Sequence, residues 1–185
     1  MLILNIGCKK NEDDAPPAEN EEEIITDIIL TFTPQGGGAD ITALAQDPDG
    51  EGIQDLEVTK DLELAPNTTY TLNISLENSL DMESITDEVR NEGDEHMLFF
   101  EFTENAFSDP IGNGNLDNRT DPLNYEDMDK NGEPIGLITT WTTGDAVSGA
   151  NFRVVLKHQP ALKTGNSGSS EGSTDLDLTW GLKLQ

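Results

Sequence analysis

Cysteine is nearly missing from this chain: Cys8 is the only one in 185 residues, so no internal disulfide framework can form. Basic residues are scarce as well. Lys+Arg number 10 against Asp+Glu 37, a formal charge of −27, and a surface that negative excludes a nucleic-acid binder held by phosphate neutralisation. Aromatics make up 5% and hydrophobics 34% of the residues, so any core is thin and must be efficiently patterned. No apolar run approaches the roughly 20 residues that cross a bilayer. The length suits one domain, or one domain with a tail. Such a composition would fit a disordered chain, but the apolar residues recur in order along the sequence, which argues for a folded body.

The chain opens with Met1-Leu2-Ile3-Leu4-Asn5-Ile6-Gly7-Cys8, a short apolar run that ends in a small residue before the lone cysteine. This resembles the end of a lipoprotein signal peptide, in which the cysteine is lipidated and becomes the mature N-terminus. Asn5 stands where that pattern usually has Leu. Most of a signal peptide is missing, so a start upstream of Met1 is expected. The acidic, Pro-containing stretch that follows, through Glu23, holds almost no apolar side chain and reads as an extended tether. Its acidic run after the cysteine resembles the surface-export signal of Bacteroidota lipoproteins. The expected organisation is a residual signal peptide over 1–7, a lipidated tether over 8–23 and a folded domain over 24–185.

Within that domain apolar residues alternate with polar ones. Ile24, Thr26, Ile28, Leu30 and Phe32 share one face, as do Tyr70, Leu72, Ile74 and Leu76. So do Phe152, Val154 and Leu156, and finally Leu176, Leu178, Trp180, Leu182 and Leu184. Period two with one polar face means half-buried antiparallel strands. Further strands fit at Ile41–Ala45, Val58–Leu64, His96–Phe102 and Leu137–Thr143, about eight in all. One helix fits Ser84–Asn91, where Ser84 and Asp87 resemble a capping box. Strands never alternate with long helices, which argues against a parallel α/β sheet. The fold class expected is all-β, an immunoglobulin-like antiparallel β-sandwich. Asn105–Glu126 reads as an irregular insertion and Gly165–Thr174 as a hairpin loop.

Several short motifs carry a family resemblance: Asp94-Glu95-His96 before an aromatic run, the stretch from Asp127 to Gly136, Leu156-Lys157-His158-Gln159-Pro160, and Thr174-Asp175-Leu176-Asp177-Leu178-Thr179. With the tether and the opening Ile-Ile-Thr strand, they resemble small Bacteroidota lipoproteins labelled "type 1 periplasmic binding fold superfamily protein". The label implies a two-lobed α/β binding protein, for which this chain has neither the length nor the helices. The resemblance implies an exported, outer-membrane lipoprotein, anchored through Cys8 and serving an outer-membrane importer.

The two histidines are the most informative polar residues. His96 is in phase with Leu98, Phe100 and Phe102, and His158 with Phe152, Val154 and Leu156, so both point to the core side. One begins its strand and the other ends its own. Antiparallel pairing would bring them to one end of the sandwich, where Asp94 and Glu95 would complete a set suited to zinc or copper. A field this negative would concentrate cations.

Asp127, Asp129 and Asn131, at alternate positions before Gly132, resemble the first half of a calcium loop. Ile138 stands where an EF-hand needs a bidentate Glu, which excludes that motif. Asp47, Asp49 and Glu51 form a second oxygen cluster. Enzyme signatures are missing: there is no Gly-x-Ser-x-Gly elbow, no cysteine in the body, and no phosphate loop around Gly36–Gly38 or Gly112–Gly114. Trp141 and Trp180, in strand phase, read as core. The sequence thus points to a non-catalytic module that binds a cation or small ligand for a transporter. The alternative is an interaction module with calcium-stiffened loops, its acidity serving solubility in salty water.

Overall fold

The computed structural model describes residues 23–50 and 55–185. Cys8 and the tether up to residue 22 lie outside them, as does Glu51. The described residues form two packed sheets. Sheet A has six strands in the order β3-β2-β1-β5-β8-β7: β1 Asp27–Pro34, β2 Ile41–Gln46, β3 Glu57–Lys60, β5 Thr69–Glu77, β7 Phe107–Asp109 and β8 Ile138–Thr143. Sheet B has four in the order β4-β10-β9-β6: β4 Leu62–Leu64, β6 His96–Phe102, β9 Val147–His158 and β10 Ser173–Leu184. The alternation thus gives the β-sandwich it predicts, with apolar faces of both sheets meeting in one core that includes Leu30, Phe32, Leu72, Phe100, Trp141, Phe152, Leu156 and Trp180.

The strand count rises from eight to ten for two physical reasons. The segment read as one strand over Val58–Leu64 changes sheets in its middle. β3 pairs antiparallel with β2, whereas β4 pairs parallel with β10. Asp61 sits at the switch, and its Oδ1 accepts the Gly181 amide at 2.9 Å. The stretch read as irregular also contributes β7, which extends sheet A beside β8.

The rest of that insertion crosses the outer side of β6. Leu116 and Tyr125 pack on Met97, Phe99 and Val155, a small apolar cluster on the outer face of sheet B. Backbone and side-chain groups close the strand's free edge. The amides of Leu98 and Phe102 donate to the carbonyls of Ile135 (2.7 Å) and Asn113 (2.9 Å). The Phe100 amide donates to Asn115 Oδ1 at 3.1 Å, and the Tyr125 hydroxyl donates to the Leu98 carbonyl at 2.7 Å. Burial holds that hydroxyl's proton on, pushing its pKa upward.

The helix α1, Ile85–Asn91, buries Ile85 and Val89 as their spacing predicts. Its N-cap differs from the expected capping box, because Ser84 makes no side-chain cap bond. Thr86 pins the helix instead: its hydroxyl donates to the Leu76 carbonyl (3.0 Å) and accepts the Leu76 amide (2.7 Å) at the end of β5.

Candidate metal centre

β6 and β9 pair antiparallel with His96 directly opposite His158. Period two turns both side chains to the inner face of sheet B, at the end where β6 begins and β9 ends. The imidazoles stack with ring centroids 4.4 Å apart and 7° between their planes. The chain around them is tied down on both sides. The Gln159 amide donates to the Glu95 carbonyl at 2.6 Å, and Gln159 Nε2 holds the following connection through the carbonyls of Gly168 (2.8 Å) and Glu171 (3.1 Å). Gly172 returns the chain to β10 so closely that a Cβ there would lie 2.0 Å from the His158 carbonyl oxygen, with φ +78°.

The tautomer of His96 follows from its neighbour. Nδ1 lies 3.3 Å from the Glu92 carbonyl oxygen, which can only accept, so Nδ1 carries the proton. Nε2 therefore presents its lone pair. The side chain is 0% exposed, and Nε2 has no hydrogen-bond partner among the described residues. Two carboxylate oxygens face it instead: Glu23 Oε1 and Asp175 Oδ2, each at 3.9 Å. On the other ring, Nε2 of His158 lies 3.7 Å from Glu95 Oε2. Glu92, His96 and His158 each offer a ligand atom, all within 4.8 Å of one another.

Asp175 reaches this place through an irregularity. Strand phase puts Leu176 inward and Asp177 outward, where Asp177 pairs with Arg153 at 2.7 Å. Between Thr174, opposite Lys157, and Leu176, opposite Leu156, β10 holds one extra residue. That residue is Asp175, and its side chain is 0% exposed. A bulge of this kind re-aims a side chain without disturbing the strand beyond it.

The carboxylates at the histidines are thus not quite the pair expected. Glu95 is there, beside His158. Asp94 turns away to Lys130, 2.8 Å from its Nζ, and this contact holds the Asp94 carboxyl below its usual range. Glu23, Glu92 and Asp175 take its place.

Burial, reinforced by the neighbouring His158, lowers the His96 pKa from 6.5 to about 4, so the ring is neutral at physiological pH. Burial and the hydrogen-bonded Glu88 carboxyl raise Glu23 to about 8. The two shifts oppose each other in stability. An unfolded chain takes up a proton on His96 near pH 6.5, which the folded chain resists down to about 4. This contribution is complete above pH 6.5 and is lost as pH falls toward 4, by up to about 3 kcal/mol. Glu23, protonated in the fold up to about pH 8, favours folding as pH falls. Urea unfolding of the wild type and His96→Gln between about pH 7 and 4 separates them. The wild type should lose stability faster than the variant, and parallel curves would refute a buried neutral imidazole.

Three of the calcium-loop candidates, Asp127, Asp129 and Asp47, accept amides of their own chain. Asp127 accepts the amides of Gly136 (2.9 Å) and Leu137 (3.0 Å). Asp129 Oδ1 accepts those of Asn131 (2.7 Å) and Glu133 (2.9 Å), and its Oδ2 faces the Lys163 ammonium at 3.2 Å. Asp47 Oδ1 likewise accepts the amides of Asp49 (3.1 Å) and Gly50 (3.0 Å), closing a turn. Beside that turn lies a cleft of about 680 Å³ with Asp27, Asp55 and Glu57 among its lining residues, away from the histidines.

No family model, curated protein or solved structure matches the chain. Among the described residues, no helix is long and apolar enough to cross a membrane.

Proposed function

We propose that this protein is a non-catalytic metal-binding lipoprotein of the outer membrane, anchored through Cys8 at the cell surface, which captures a transition-metal cation for an outer-membrane transporter. The observation that carries the metal reading is the His96 Nε2 lone pair, buried without a hydrogen-bond partner among the described residues, beside a second imidazole and facing carboxylate oxygens. A cation held on that lone pair would have the oxygens of Glu23 and Asp175 beside it, each 3.9 Å from the nitrogen. Neutral imidazole with carboxylate suits zinc or copper, whereas calcium prefers an all-oxygen shell. The charge of −27 supports cation capture by raising the local cation concentration. The apolar run ending at Gly7-Cys8 and the acidic stretch after it support the anchor and the surface location.

The test is titration of the chelator-stripped protein with zinc, copper and calcium separately, alongside His96→Ala/His158→Ala. Removing a group that only orients a ligand costs about 10–100-fold in affinity. Loss of both direct ligands should therefore weaken zinc or copper binding by more than about 100-fold, with the fold retained by circular dichroism. Calcium binding alone, unchanged in the double variant, would sink the reading.

A further inference from the structure

The histidines supply nitrogen ligands from two strands, but the carboxylates within reach of His96 come from elsewhere in the chain. We propose that Asp175 and Glu23 are the carboxylate ligands of the metal on His96 Nε2, so that loading the site fastens the N-terminal end of the folded body, at Glu23, onto the sandwich. This rests on the metal-binding reading above and adds which oxygens hold the ion and what holding it does to the chain.

Three observations carry it. First, Glu23 Oε1 and Asp175 Oδ2 are equidistant from the same nitrogen, at 3.9 Å. Metal bonds of about 2.0–2.2 Å in a tetrahedral site put neighbouring donors about 3.4 Å apart, so each of these oxygens lies about half an ångström farther from the nitrogen than two ligands of one ion would. Second, the atom they face is a buried nitrogen with no hydrogen-bond partner among the described residues, which marks the place as a ligand position and not simply an acidic cluster. Third, Asp175 is turned inward only by the bulge between Thr174 and Leu176. A bulge that takes a carboxylate out of solvent and aims it at a lone pair is a built feature of the site.

Glu23 differs from the other ligands in where it lies. It precedes β1, joined to it only through Ile24, Ile25 and Thr26, of which Ile25 and Thr26 are buried. The Thr26 amide donates to the Glu77 carbonyl at 2.9 Å. Glu23 has Glu88, Asp175 and Glu92 as charged neighbours. With a cation they converge, and the arm before β1 closes over the ion as its last ligand. The occupied and empty forms would then differ at the segment that enters β1.

The experiment uses the full chain, stripped with chelator, and zinc alone as the probe. Zinc affinity is measured for the wild type, Asp175→Asn and Glu23→Gln, and amide exchange of Ile24, Ile25 and Thr26 is followed with and without zinc. Each substitution should weaken zinc by at least about 10-fold. Zinc should slow exchange at these amides in the wild type and not in Glu23→Gln. Wild-type affinity in either folded variant, or exchange that ignores zinc, overturns the inference and leaves the histidine site standing. A wild type that binds no zinc or copper refutes the underlying reading instead. If Asp175→Asn does not fold, Glu23→Gln decides by itself, since it lies before the first strand.

Discussion

Lys163→Met should lower the free energy of unfolding by about 3–5 kcal/mol, the cost of leaving one partner of a buried ion pair without the other. The ammonium and the Asp129 carboxylate are each 1% exposed and lie 3.2 Å apart. Burial pulls the Lys163 pKa below its ordinary value, against the attraction of Asp129. Burial also works against the Asp129 charge, but the amides of Glu133 and Asn131 and the ammonium of Lys163 outweigh it and hold that pKa low. Lys163 also donates to the Gly93 carbonyl at 2.5 Å. One side chain therefore joins the turn after α1, the hairpin at Asp129 and the connection from β9 to β10. Methionine keeps the bulk and removes the charge, so the loss reports the stranded carboxylate. Lys163→Met/Asp129→Asn should recover part of it, because no buried charge is then left alone. Urea unfolding of the three proteins measures this. A loss under about 1 kcal/mol in the single variant would mean that water reaches the pair and screens it.

Trp141→Ala should cost a similar amount, about 3–5 kcal/mol, by another route. Trp141 is fully buried on β8, with ring centroids 4.8 Å from Phe107, 5.1 Å from Phe152, and 5.4 Å from both Phe100 and Phe102. In a chain with 5% aromatics, this residue gathers four phenylalanines and links the two sheets. Alanine leaves a cavity among rings that cannot all collapse into it. It also strips Thr139 Oγ1 of the indole N–H it accepts at 2.7 Å. Trp141→Phe should lose less, since it keeps most of the ring contacts and forfeits that hydrogen bond. Thermal unfolding orders the three proteins. If the alanine variant melted at the wild-type temperature, the ring cluster would not be the centre of the core.

The histidine pair was readable because strand phase is strict. A residue two, four or six places from a buried Leu or Phe shares its face, and antiparallel pairing does the rest. Asp175 was not readable, because the same rule assigns it to the outer face with Asp177, and nothing in the letters Thr-Asp-Leu announces an extra residue in the ladder. Glu23 looked like the end of an acidic run, and Glu92 like a residue of the helix end. Their approach to His96 depends on where the chain enters β1 and on the turn from α1 into β6. Asp94, close to the histidine in sequence, faces away because neighbouring positions diverge at a strand start. The two oxygen-rich loops show the converse. Asp-x-Asp-x-Asn-Gly fits a cation loop and a self-closed turn equally well in sequence. In the structure Asp129 faces Lys163, far along the chain, which the letters of the loop do not announce. The break at Asp61 was hidden because β3 and β4 continue a similar alternation while serving different sheets.

The closed edge of β6 has a bearing on crowding. An outermost strand with free amides is a template on which another chain can add, and proteins packed side by side meet that hazard often. Here the amides of His96, Leu98, Phe100 and Phe102 are taken by Glu92, Ile135, Asn115 and Asn113 of the same chain. The strand that begins with His96 therefore holds its outward amides already bonded, which leaves little of a ladder on which a neighbouring chain could add.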